Sequence, residues 1–225
     1  MTRLDAVLWD MDGTLLDSEK LWDLAIRELA GELGREMTEE IRHALIGASG
    51  PNALRILFDG LGLEPTPDAL TDAGEWIERR VSDLFHGPVP WRPGAQEALA
   101  AVRAAGIPMA LVTNTKRSLT EYGLNTLGRE NFHASVCADE VPEGKPAPDL
   151  YLRAAQLLGV LPEHTVAIED SPTGALSAEA AGCAVLVIPC EIAVPERPGR
   201  TFRDSLVGLT TTELQGLILE RSAAS

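Results

Sequence analysis

Apolar positions along the chain keep two different rhythms. Residues 4–9 (LDAVLW) form a short apolar run that stops at Asp10, and this pattern predicts a buried strand. Across residues 19–34 the period lengthens. Leu21, Leu24, Ala25, Leu29 and Leu33 recur at helical spacing and mark one apolar face. Further helices are predicted over 39–46, 51–61 and 67–85, and nothing between 17 and 86 has a strand-like pattern. Residues 86–94 (HGPVPWRPG) carry three prolines and read as a linker. Beyond it the two rhythms alternate. Helices are predicted over 96–105, 118–127, 148–158, 172–181 and 211–219, with strands over 108–113, 134–137, 165–168 and 184–188.

Repeated strand–helix alternation implies a parallel sheet covered by helices. The strand at 4–9 has no partner unless it joins that sheet. The helical block between is then an insertion. The expected architecture is an α/β fold: a Rossmann-like parallel-sheet core made of residues 1–16 and 90–225, with an inserted, mobile, all-helical cap at 17–89. Ligands of such sheets bind beyond the carboxyl ends of the strands.

Composition narrows the partners. The 225 residues allow one core domain with a smaller companion, and 45% hydrophobic with 24% charged residues fits a packed protein. A net charge of −15 argues against nucleic acid and against an anionic membrane surface. It also requires any anion site to supply its own positive charge. No apolar run reaches the roughly 18 residues of a membrane span, and Asp5 and Asp10 interrupt any leader-like stretch. A cytoplasmic monomer is expected. Cys137, Cys183 and Cys190 show no metal-binding or disulfide spacing, and Cys137 and Cys183 read as core thiols.

The strand ends collect the chemistry. Asp10 and Asp12 follow the first strand; Thr113, Asn114 and Thr115 follow the second; Glu169 and Asp170 follow the TVAI strand; Lys145 precedes the helix at 148–158. Any one of these has a plain alternative: Asp12-Gly13 is equally a turn, Lys145 a solvated lysine, Glu169-Asp170 a helix cap. Four strand ends converging on one rim read instead as a phosphoryl-transfer site. Clustered carboxylates suit a hard divalent cation, here Mg²⁺, while a lysine, small hydroxyls and the helix N-terminus at Ser171-Pro172 suit a phosphate. With the cation bound, Asp10 stays ionised as a nucleophile, and Asp12, raised by its like-charged neighbour, serves as acid and base.

Rival signatures fail. Gly144-Lys145 lacks the glycine spacing of a P-loop; Gly60-Leu61-Gly62 runs into Pro65 where a dinucleotide loop needs glycine; residues 47–51 lack the spacing of a hydrolase nucleophile elbow. His43, His86, His133 and His164 are scattered singly.

Four segments together resemble the motifs of the haloacid dehalogenase-like hydrolases: WDMDGTLLDSE, VTNT, EGKPAPDLY and VAIEDSPTGALSAEAAG. The likeness is to the subgroup with a helical cap, which includes β-phosphoglucomutase and many small-molecule phosphatases, and it spans essentially the whole chain. It implies that Asp10 forms an aspartyl-phosphate, and that Asp12 protonates the leaving oxygen and then activates water. It implies Mg²⁺ on Asp10, the Asp12 carbonyl and Asp170, with Glu169 in support, and a phosphoryl group held by Thr113, the Asn114 N–H and Lys145. Asp12 stands where dehalogenases lack an aspartate and phosphonatases carry alanine. Trp22 stands where β-phosphoglucomutases carry histidine, and Thr14 where they carry a valine-like residue. A phosphatase is therefore expected, with a hexose phosphate mutase as the alternative and a non-catalytic phosphate-responsive module as a third reading. The DSExLW-type start of the cap resembles sugar-phosphate phosphatases. The expected substrate is a small phosphorylated metabolite, a sugar or polyol phosphate. Glu19, Trp22, His43, Ser49 and Asn52 are the cap residues expected to select it.

Overall fold

The computed structural model describes residues 3–45, 48, 50–87 and 89–224. The chain divides into two compact units, Met1–Asp17 with Val89–Ser225, and Ser18–Pro88.

In the first unit the described residues form a six-stranded parallel sheet. Its strands are β1 (Ala6–Trp9), β2 (Met109–Val112), β3 (Ala134–Val136), β4 (Thr165–Glu169), β5 (Ala184–Val187) and β6 (Arg200–Phe202), in the spatial order β3-β2-β1-β4-β5-β6. Parallel neighbours need crossover connections, and the crossovers cover both faces. That is why β1, β2, β4 and β5 are buried at every residue and read as unbroken apolar runs. β1 lies at the centre, with Leu8 opposite Ala110 of β2 and Ala167 of β4.

The second unit holds α1 (Glu19–Glu32), α2 (Glu39–Leu45), α3 (Gly50–Gly60) and α4 (Pro67–Phe85). Ala25, Leu29 and Ala30 of α1 are buried, as are Ala73, Ile77, Val81 and Phe85 of α4. Arg80 of α4 pairs with Glu28 of α1 through both carboxylate oxygens, one bond measuring 3.0 Å. Thr66 caps α4 by accepting from Ala69 N at 3.3 Å, with Pro67 at the first helical position, where its missing N–H costs nothing.

Helices α5 (Ala95–Ala104), α6 (Arg117–Leu127), α7 (Asp149–Leu158), α8 (Pro172–Ala181) and α9 (Thr211–Ala224) belong to the sheet unit. One core layer joins Leu8, Ala110, Ala167, Val185 and Val187 of the sheet to Tyr151 and Ala154 of α7 and Ala175 and Ala178 of α8. The segments on either side of the helical unit run together: Asp17 N donates to Pro90 O at 2.8 Å, and Arg92 N to Leu15 O at 2.9 Å.

One strand departs from the sequence expectation. β6 has three residues, all half-buried, in a segment of proline, glycine and arginine, so no apolar run announces it. It adds to the edge of the sheet through Val185–Arg200 and Val187–Phe202 pairing. The buried Arg200 guanidinium is held by Glu179 of α8 through two bonds, one of 3.0 Å.

Gly94, which precedes α5, has φ +80, and a Cβ there would lie 2.2 Å from Val207 N. Gly106 has a similar φ of +67 with nothing within 4 Å of a Cβ. Gly106→Ala should therefore cost only the left-handed backbone term, about 1 kcal/mol. Gly94→Ala adds overpacking and should cost about 3 kcal/mol. Urea unfolding of the two variants measures the difference; equal losses would mean that the segment at 206–207 yields freely.

Candidate active site

Because every strand of the sheet is parallel, their carboxyl ends share one edge. β1 delivers Asp10 there, with its N–H bonded to Ile168 O at 3.0 Å. The chain then turns tightly. Leu15 N and Leu16 N both donate to Met11 O at 3.0 Å, and Gly13 N donates to Leu16 O at 2.8 Å. Asp12-Gly13 thus forms a turn, and that turn sits at the edge where the strands end.

Lys145 is the centre of the site, and its side chain is only 4% exposed. Its ammonium donates to Asp10 Oδ1 at 2.6 Å, to Glu169 Oε1 at 2.6 Å and to Val112 O at 2.9 Å. Three protons meet three acceptors. Asp10 Oδ2 is buried and has no hydrogen-bond partner among the described residues. Asp170 is also buried, with Thr14 Oγ1 3.5 Å from its Oδ1. Asp12 Oδ2 accepts from Thr115 Oγ1 at 2.7 Å and from Thr113 Oγ1 at 3.2 Å.

Two loops are locked to each other beneath this cluster. Asn114 Oδ1 accepts from Lys145 N at 2.7 Å, and Asn114 Nδ2 donates to Lys145 O at 3.2 Å. Ser177 of α8 donates to Ala147 O at 2.5 Å, which pins the same loop from the other side. Ser171 caps α8 by accepting from Gly174 N at 3.1 Å and donates its own hydroxyl to Glu169 Oε2 at 3.3 Å.

The electrostatics follow from burial. Desolvation pushes the Asp10 carboxyl up to about 7; Lys145 opposes this and Glu169 adds to it. Burial alone would depress the Lys145 ammonium, but Asp10 and Glu169 outweigh it and hold it above its ordinary value. Burial, reinforced by Glu169, keeps the Tyr151 phenol far above its usual range, so it remains a donor. Carboxylate oxygens of Asp10, Glu169 and Asp170 lie within 4.8 Å of one another. One ammonium does not neutralise three buried carboxylates. The unbonded Asp10 Oδ2 and the all-oxygen donor set fit a hard divalent cation.

The structure therefore brings together Asp10, Asp12, Thr113, Asn114, Lys145, Glu169 and Asp170, each named from the strand ends. In the absence of metal the carboxyl of Asp10 is itself raised, because burial outweighs the opposing charge of Lys145. Asn114 uses its side chain to fix the Lys145 loop. Tyr151 is absent from the sequence-derived set of site residues, and Thr115 is named there only as a strand-end residue without a role. Thr115 is visible beside Thr113 as a second hydroxyl at the end of β2. Tyr151 lies among the apolar residues of α7 and reads as core. Glu19, Trp22, His43 and Asn52 lie on three different helices of the second unit: Glu19 and Trp22 half-buried on α1, His43 exposed on α2 and Asn52 exposed on α3. Ser49 lies outside the described residues.

No helix among the described residues is long and apolar enough to cross a membrane. Residues 4–182 match the haloacid dehalogenase-like hydrolase family. A phosphorylated carbohydrates phosphatase of Thermotoga maritima is 33% identical over 180 residues, which cover 80% of this chain and 82% of that protein. Hexitol phosphatase B of Escherichia coli is 32% identical over 222 residues, 94% of this chain and 96% of that protein. The crystal structure of CbbY from Rhodobacter sphaeroides in complex with xylulose-(1,5)bisphosphate superposes with a TM-score of 0.82 at 30% identity, covering 94% of this chain and 99% of that one. The family match runs from the strand that presents Asp10 to the end of the helix that follows Asp170, and so takes in the whole carboxylate–lysine cluster. The chain belongs to the haloacid dehalogenase-like hydrolases, in the subgroup that carries a cap domain.

Proposed function

We propose that the protein is a Mg²⁺-dependent phosphatase that hydrolyses a sugar or polyol phosphate through an aspartyl-phosphate on Asp10. The observation that carries this reading is the Asp10 carboxylate itself. One oxygen is gripped by Lys145 at 2.6 Å, the other is buried and unbonded, and the carboxylate as a whole clusters with those of Glu169 and Asp170. A carboxylate so oriented is a nucleophile held in one attitude. The relatives described above, a carbohydrate-phosphate phosphatase and a hexitol phosphatase, support the substrate class.

Asp10, the Asp12 backbone carbonyl and Asp170 would hold the cation, with Glu169 beside them. When bound, Mg²⁺ neutralises the carboxylate cluster and offsets charge on the phosphoryl oxygens. Asp10 attacks phosphorus, and the bond from phosphorus to the ester oxygen breaks. Asp12 gives its proton to that departing oxygen, and the alcohol leaves. Asp12, now a carboxylate, takes a proton from a water whose oxygen attacks the same phosphorus. The Asp10–phosphorus bond breaks, which releases phosphate and restores both carboxyl groups. Thr113 and Thr115 hold Asp12 through its Oδ2 during both proton transfers. Lys145 and the Thr113 and Asn114 region bear the charge of the phosphoryl oxygens.

The test is release of inorganic phosphate from p-nitrophenyl phosphate and from a panel of sugar and polyol monophosphates. Asp10→Asn should fall to the uncatalysed background, and full activity in that variant would sink the mechanism. Asp12→Asn should lose roughly 100- to 10,000-fold, the usual worth of an acid–base group. Isomerised hexose phosphate without free phosphate would favour the mutase alternative.

Metal dependence has a sign in pH. The cation and a proton compete for Asp10, whose carboxyl lies near pH 7 in the metal-free protein. Chelation should abolish turnover, and the half-saturating Mg²⁺ concentration should rise as pH falls below about 7. A half-saturation that stays flat through that pH would show that Asp10 is already ionised without the metal.

A further inference from the structure

We propose that Tyr151 is a positioning residue for the reaction: acting through Glu169, its hydroxyl holds Lys145 against Asp10. The inference rests on the phosphatase reading above.

Glu169 is fully buried, and both its oxygens are committed. Oε1 accepts from Lys145 Nζ at 2.6 Å and from Tyr151 Oη at 2.5 Å, while Oε2 accepts from Ser171 Oγ at 3.3 Å. The first turn of α8 closes the remaining side, where a Cβ on Gly174 would stand 1.9 Å from Oε2. The carboxylate thus sits in a mould made by a phenol, a serine and a missing side chain. Its function in that mould is to hold the ammonium. Lys145 is suspended between two carboxylates and one carbonyl, so any swing of Glu169 moves Nζ relative to Asp10 Oδ1. Tyr151 Oη and Lys145 Nζ share Glu169 Oε1, so the hydroxyl fixes the direction in which that oxygen meets the ammonium.

The ring of Tyr151 has a separate role. It packs with Leu8, Ala110 and Ala167, and its centroid is 5.4 Å from Lys145 Nζ. Tyr151→Phe keeps the ring and removes only the hydroxyl. Gly174→Ala disturbs the same carboxylate from the opposite side. The two substitutions touch different residues and share one target.

The experiment measures kcat, KM and half-saturating Mg²⁺ with p-nitrophenyl phosphate for the wild type, Tyr151→Phe, Gly174→Ala and the double variant, with thermal unfolding as the check on folding. Tyr151→Phe should lower kcat roughly ten- to hundred-fold, the scale on which misplacement of about 1 Å acts. The loss should persist at saturating substrate and saturating Mg²⁺. Gly174→Ala should give the same loss, and the double variant should be no slower than the slower single, because a carboxylate is unseated only once. Wild-type kcat in a folded Tyr151→Phe overturns the proposal. So does a deficit that excess Mg²⁺ restores, since Glu169 would then act through the metal, and so do losses that multiply in the double variant. If Gly174→Ala does not fold, the kcat and Mg²⁺ values of Tyr151→Phe decide alone. An inactive wild type would overturn the phosphatase reading itself, whereas an active wild type beside a fully active Tyr151→Phe overturns the positioning role only.

Discussion

Asp10, Glu169 and Asp170 are buried together against a single buried ammonium. Two like charges 4 Å apart repel by about 4 kcal/mol at the effective dielectric of a protein near its surface. Three such groups do not remain ionised in company without compensation. Lys145 offsets part of the charge by bonding Asp10 and Glu169 at once. The rest appears as the raised carboxyl of Asp10 and as the unbonded Oδ2. A divalent cation meets both demands in one step. The fold's other site features follow from keeping this cluster in place while it is electrostatically incomplete.

The bracing is correspondingly dense. A parallel sheet supplies stiff, fully buried strands, but the reactive groups stand just beyond their ends, where the backbone has lost its ladder. Side-chain bonds to backbone atoms replace it. Asn114 bonds the Lys145 peptide twice, Ser177 holds Ala147 O, and Ser171 closes the first turn of α8. Each of these fixes a loop to an element that is itself fixed by core packing. Polar residues that look like ordinary loop composition are thus what gives the strand ends the rigidity of the strands.

How much of this was legible in the chain depends on whether a property is local. β1, β2, β4 and β5 were legible because a strand buried on both faces must be apolar throughout. β6 was not, because an edge strand of Arg-Thr-Phe needs only one neighbour and carries no pattern of its own. Asp10, Asp12, Lys145, Glu169 and Asp170 were legible because strand ends in a parallel sheet share an edge. The raised carboxyl of Asp10 was not legible, because complete desolvation is made by the packing and is not written in the sequence. Tyr151 was hidden by its company, since a tyrosine among Leu150, Leu152 and Ala154 announces a core position and says nothing of where its oxygen points.

Glu169 and Asp170 are neighbours in sequence and carry the same charge, yet the pleat divides their surroundings. Glu169 is the last residue of β4 and shares the face of Ala167, toward Tyr151 and α8. Asp170 follows the strand and lies beside Thr14 of the β1 turn. The dipeptide therefore works as a partition. One carboxylate bonds Lys145 and Tyr151, and the other lies beside the β1 turn. A change at residue 170 is separable from the Lys145 contact, while exchanging the order of the two acidic residues would change the length of both arms at once.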